Sequence, residues 1–171
     1  MSRYRGERGM DEVDLILAAW ARELPELDVS PLGSLSRISR LAKHLDRARA
    51  DAFAAHDLEV WEFDVLAALR RQGRGFVLSP GDLIRETLST SGTMTNRVNR
   101  LEARALVVRE PNPADGRGVL VRLTDEGRQR VELALGDLLA YERRVLAAIG
   151  PEEREELAAV LRRLLAPFER T

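Results

Sequence analysis

The chain has 171 residues, no cysteine and a formal net charge of -1, with 32% charged and 44% hydrophobic residues. That length fits one domain, or one small domain plus a helical layer, and the composition reads as soluble and globular rather than disordered. Without cysteine, disulfides, thiolate metal sites and thiol redox sensing are excluded, and a reducing cytoplasm is the expected compartment. The charged segment 1–14 has no apolar stretch of the signal-peptide kind, and no apolar run approaches the roughly 20 residues of a membrane helix. A net charge near zero gives no sign of a nucleic-acid partner, so any DNA site must be a local patch.

In chain order, residues 1–10 form a polar tail. Val13, Ile16, Leu17, Trp20 and Leu24 then share one face of a helix over 11–24. Pro25 and Pro31 are expected to end it and make a linker. Leu35, Ile38, Leu41, Leu45 and Phe53 mark a helix over 33–56. The stretch 58–69 is apolar nearly all round and predicts a buried helix, closed by Gly73 and Gly75. Ser79-Pro80-Gly81-Asp82 combines a cap, a proline suited to the first turn and an acid at the capping-box position, opening a short helix to about Leu88. A second helix runs from about Ser91 to Arg104. Strands over 106–109 and 119–123 flank the turn-rich loop 111–118 and form a hairpin. Thr124 caps a long helix to about Ile149, roughly 36 Å at 1.5 Å per residue. Gly150-Pro151 breaks it, and Leu157, Val160, Leu161, Leu164 and Leu165 mark a last amphipathic helix.

Two short helices, a tight turn and a hairpin are the order of a winged helix-turn-helix, whose second helix enters the major groove of DNA. At 100° per residue, Met94, Val98 and Leu101 face inward, and Thr93, Asn96 and Arg100 face the opposite way. Arginine, asparagine and threonine are side chains that read base edges. Ser91 and Thr95 on the same helix complete the candidate DNA face. Between Ser91 and Arg109, four arginines (97, 100, 104 and 109) stand against one acid, Glu102, a local charge of +3. Arg117, in the glycine-flanked loop, is placed to enter a minor groove. The fold class is therefore mainly α with a small β-hairpin wing: a winged helix-turn-helix plus a helical dimerisation layer. Its divisions are a tail over 1–10, N-terminal helices over 11–56, the DNA-binding domain over 57–124, and C-terminal dimerisation helices over 125–171. The apolar faces of the long and terminal helices exceed what one small domain can bury, which predicts a homodimer.

The segment Ser91-Gly92-Thr93-Met94-Thr95-Asn96-Arg97-Val98, the stretch from Leu101-Glu102 to Leu106-Val107, Asp115-x-Arg117, and Leu123-Thr124-x-x-Gly127 together resemble the MarR family of bacterial transcription factors over about residues 33–165. The resemblance implies an obligate homodimer with intertwined first and last helices, bound to a palindromic operator in duplex DNA, usually as a repressor. Two positions depart from it. Ala105 stands where glycine is usual at the end of the recognition helix, and a left-handed residue there costs roughly 1 kcal/mol without glycine. Gly116 stands where an arginine is common, leaving Arg117 as the sole wing arginine.

The added N-terminal helix, with Trp20, resembles the urate-responsive branch of that family. The branch's ligand set maps to Trp20, Asp64, Arg97 and Arg109. The resemblance implies a small anionic ligand, urate or a related purine, whose binding shifts the recognition helix and releases DNA. Each residue also has a structural reading: Trp20 as a dimer anchor, Asp64 and Arg97 as an ion pair, Arg109 as a phosphate contact. An unpaired Asp64 carboxylate among Val60, Trp61, Ala67 and Ala68 would be expensive to bury, so it requires a partner. The same arginines suit a phenolic or aromatic acid, a trans-aconitate-like acid or a guanosine nucleotide. A helical interaction adaptor that does not bind DNA is the alternative from another class. No enzyme is expected: the two histidines, His44 and His56, lack metal-ligand spacing, and no nucleophile motif, phosphate loop, catalytic residue, metal site or cofactor is suggested.

Overall fold

The computed structural model describes residues 9–73, 75–113 and 118–169. They fall into two compact units, up to Arg47 and from Ala48. In the first, α1 (Glu12–Glu23) starts at Asp11, whose carboxylate accepts from the amides of Val13 and Asp14 while the Asp14 side chain accepts from the Asp11 amide. These bonds satisfy N–H groups that a helix start leaves open. Arg37 of α2 (Pro31–Ala54) joins the Asp11 and Asp14 carboxylates at 2.7 Å each. The paired guanidinium holds the Asp11 carboxyl down to about 2. Pro31 opens α2 instead of lying in a linker, because its fixed φ and missing N–H suit the first helical position.

The second unit carries the core. Phe53 and Phe63 stack with ring centroids 3.8 Å apart, and Leu66, Leu69, Leu83, Met94, Leu101, Leu106 and Val121 close around them with no exposed surface. Its elements after α2 are α3 (Val60–Arg71), β1 (Val77–Leu78), α4 (Pro80–Glu86), α5 (Ser91–Ala103), β2 (Val107–Pro111), β3 (Val119–Leu123), α6 (Asp125–Leu146) and α7 (Pro151–Leu165). The expected wing hairpin is present, with Arg109 opposite Val121, and it gains a third antiparallel strand. That strand is β1, which pairs Val77 with Arg122 and makes the sheet order β1-β3-β2. Gly73 and Gly75, both at positive φ, turn the chain from α3 into it.

The junction between α5, β2 and α6 is tightly constrained. Ala105 has φ +55°, the left-handed conformation expected from its place at the end of α5. Its amide donates to Glu102 O at 2.9 Å and the Leu106 amide to Leu101 O at 3.0 Å. This is the paired bonding of a helix end that glycine usually occupies. Thr124 caps α6 by accepting from the Gly127 amide at 3.0 Å. A Cβ on Gly127 would lie 2.2 Å from the Leu106 carbonyl oxygen and 2.9 Å from Leu123 Cδ1, so only glycine lets α6 pass this close to the β2 entry. Among the described residues no helix is long and apolar enough to cross a membrane.

Candidate nucleic-acid interface

Helix α5 is amphipathic in the sense its sequence requires. Met94, Val98 and Leu101 are 0–2% exposed, whereas Ser91, Thr93, Thr95, Asn96, Asn99 and Arg100 are exposed. Thr90 is the N-cap: its hydroxyl accepts from the Thr93 amide and donates to Thr93 Oγ1 at 2.9 Å. The Thr95 hydroxyl donates back to Ser91 O at 3.1 Å. Capping fixes the first turn, the part of a recognition helix that approaches base edges. Arg117 lies outside the described residues, as does Gly116.

Three of the four arginines of this segment pair with carboxylates of the protein itself, which lowers the +3 counted along the sequence. Arg100 Nη2 donates to Glu59 Oε1 at 2.5 Å, and its guanidinium lies 4.7 Å from the Trp61 ring centre. The Trp61 indole N–H donates to the other Glu59 oxygen at 2.7 Å. That indole bond first, and Arg100 second, hold the Glu59 carboxyl below the usual carboxylate range. Arg104 meets Glu62 at 2.5 Å and Asp57 at 2.6 Å. Its pKa is raised, chiefly by the Glu62 bond. Arg109 pairs with Glu102 and donates to Asn99 Oδ1 at 2.6 Å, tying β2 to α5. The acids that neutralise Arg100 and Arg104 come from 41, 42 and 47 positions away, so counting charge along one segment cannot register them.

Glu62 is the one charged side chain fully buried among the described residues. One oxygen accepts from the Glu59 amide at 2.9 Å and from Arg104, while Oε1 has no hydrogen-bond partner among the described residues. Asp57, at positive φ after α2, also accepts from Arg130 of α6 at 2.8 Å. The Asp57–Arg104–Glu62 chain thus anchors the C-terminal end of α5 to the start of α3 and to α6. A buried carboxylate is tolerated only with such partners. Glu59 and Glu62, three residues apart at a helix start, were the available sequence signal for this anchor.

Within the second unit, the candidate ligand residues Asp64, Arg97 and Arg109 have separate surroundings. Trp20 is in the first unit and 45% exposed. Asp64 is half-exposed, not buried, and its required partner is Arg49 at 3.1 Å, not Arg97. Helix α3 is less apolar in its surroundings than its composition predicts, because Val60, Trp61 and Asp64 all reach solvent. Arg97 is half-buried, with its guanidinium 5.5 Å from the Trp61 ring centre, and no carboxylate pairs with it among the described residues. Arg109 is held by Glu102 and Asn99, as above. Of the two histidines, His56 meets Asp137 at 2.8 Å, and no group of metal-binding side chains occurs among the described residues.

Comparison with known proteins places this geometry among transcription factors. Residues 56–118 match the MarR family model. The HTH-type transcriptional regulator PecS of Dickeya dadantii is 35% identical over 153 residues, covering 90% of this chain and 92% of that protein. The structure is similar to Sco5413, a MarR family transcriptional regulator from Streptomyces coelicolor, with a TM-score of 0.64, 28% identity, and coverage of 81% of this chain and 95% of that one. It is also similar to Bordetella bronchiseptica BpsR, solved to explain regulation of its DNA binding by 6-hydroxynicotinic acid. That match has a TM-score of 0.56 and 29% identity, and covers 75% of this chain and 98% of that one.

Proposed function

The chain belongs to the MarR family of transcriptional regulators, and we propose that it binds a palindromic operator as a homodimer and leaves it on binding a small anionic ligand such as urate. The observation that carries the DNA reading is α5, a capped helix with one face wholly buried and a polar face of Thr93 and Asn96 in solvent. Asn96 suits adenine, Arg100 guanine or phosphate, and Thr93 either base edge. Ser91 and Thr95 lie beside them for phosphate contacts, and Arg117 completes the proposed DNA-binding set. Residues 57–124 form the DNA-binding domain, and the helices over 11–56 and 125–171 form the dimer. Among the described residues none in α7 is buried, and its Leu157, Val160, Leu164 and Leu165 are 41–52% exposed. Apolar stripes of this kind favour a second copy over water. The protein acts in the cytoplasm, as a repressor.

For the ligand, Trp20, Asp64, Arg97 and Arg109 form the candidate set, supported by the residue types of the urate-responsive branch. Arg97 is the strongest member, because a half-buried cation without a carboxylate partner among the described residues attracts an anion. A second reading, an aromatic acid, is favoured by the similarity to BpsR, whose DNA binding is regulated by 6-hydroxynicotinic acid. In either case the ligand must bind the DNA-incompetent state more tightly than the bound one. The test is fluorescence anisotropy with a labelled duplex across a salt series, followed by titration with urate, other purine metabolites and aromatic acids. Binding should fall steeply with salt, one ligand class should reverse it, and Asp64→Ala and Arg97→Ala should bind DNA yet ignore that ligand. Absence of binding at low salt would favour an interaction adaptor instead, and normal urate release in both variants would remove urate from the mechanism.

A further inference from the structure

We propose that Glu59 competes with DNA for Arg100 and thereby sets how tightly the recognition helix binds. The proposal rests on the reading of α5 as the DNA-contacting helix. Arg100 lies on the same side of α5 as Thr93 and Asn96, within about 60° at 100° per residue. Its guanidinium is nonetheless turned to the body of the domain. Glu59 Oε1 accepts from it at 2.5 Å, and the Trp61 ring lies against it at 4.7 Å. Glu59 is itself held in place. It is the N-cap residue of α3, its amide donates to Glu62 Oε2 at 2.9 Å, and its second oxygen accepts the Trp61 indole N–H at 2.7 Å. The carboxylate is thus fixed at the edge of the DNA face and remains charged near neutral pH.

Both members of the pair keep more than half of their side-chain surface in solvent, at 53% and 55%. An exposed pair of this kind is weak enough to be exchanged for a phosphate or a guanine edge. The exchange has two consequences. Arg100 must leave one carboxylate to reach DNA, and the carboxylate it leaves stays close to the phosphates. Each opposes binding, so Glu59 lowers affinity through Arg100 without touching DNA. It is a positioning residue. The same competition favours sites that offer Arg100 a bidentate partner, because a single phosphate contact replaces the lost carboxylate with little gain.

The test uses full-length protein and a labelled duplex enriched by the wild-type protein from a randomised pool, with affinity read by anisotropy over a salt series. Glu59→Gln, which keeps the indole bond but removes the charge, should bind roughly two- to fivefold more tightly, the range of an exposed ion pair. Glu59→Asp retains the charge but draws the carboxylate back by one methylene, and it should shift affinity in the same direction by less. In an Arg100→Ala background both gains should disappear. Melting temperatures identify any variant that fails to fold, and the other Glu59 variant then decides. Equal or weaker binding by the folded Glu59 variants overturns the proposal, and so does a gain that survives in Arg100→Ala. A wild-type protein that enriches no duplex overturns the DNA reading of α5 as well, which separates the two failures.

Discussion

Helices α3 and α7 both carry leucine and valine at three- and four-residue steps, yet they end in opposite situations. In α3, Val65, Leu66 and Leu69 have no exposed surface, whereas in α7 Leu157, Val160 and Leu164 are 41–47% exposed. An amphipathic pattern records that a face is to be buried; it does not record which molecule buries it. The winged unit closes its own core around Phe53, Phe63 and Leu66. The last helix leaves its apolar face exposed, and under the proposed function a second copy covers it.

The largest expected effect breaks this contrast directly. Leu66→Ala should destabilise the fold by roughly 2–5 kcal/mol in urea melts, at any protein concentration. Leu164→Ala should leave the dilute chain nearly unchanged, yet shift dimer dissociation measured by analytical ultracentrifugation. Equal effects of the two substitutions on the dilute protein would end the distinction. Next in size is Gly127→Ala, whose new methyl would overlap the Leu106 carbonyl. A loss of roughly 2–3 kcal/mol is expected from such overpacking, read in the same melts; a loss below about 0.5 kcal/mol would mean that α6 can move away freely. The smallest effect has the opposite sign. Ala105→Gly should stabilise the winged unit by about 1 kcal/mol, because a left-handed alanine becomes an unstrained glycine, and it should leave dimer dissociation unchanged.

Much of the fold was legible because its signals are local. The Ser79–Asp82 capping box, the Thr124 cap, strand 119–123 and the alternation of Met94, Val98 and Leu101 with Thr93 and Asn96 all lie within a turn or two of the residues they organise. The strain at Ala105 was legible too, since it follows from one residue type at one helix end. What escaped depends on residues far apart in the chain. Strand β1 is two residues long and exists only because Val77 and Leu78 find Arg122 and Val121. The long helix stops at Leu146, three residues short of the expected Ile149, although Gly150-Pro151 is the stronger break. The partners of Arg100, Arg104 and Asp64 are likewise non-local: Glu59, Glu62 with Asp57, and Arg49. The exposed face of α5 could therefore be listed from sequence, but not the carboxylates that pair with Arg100 and Arg104.

The most direct measurement of whether α5 reads DNA is selection from a randomised duplex pool with the wild-type protein and Asn96→Ala in parallel. Wild type should enrich an inverted repeat with half-sites about one helical turn apart. Asn96→Ala should lose preference at one position in each half-site while retaining its salt dependence, the signature of a base contact rather than a phosphate contact. Enrichment of the same sequence with the same position weights by both proteins would contradict the assignment of α5 as the reader.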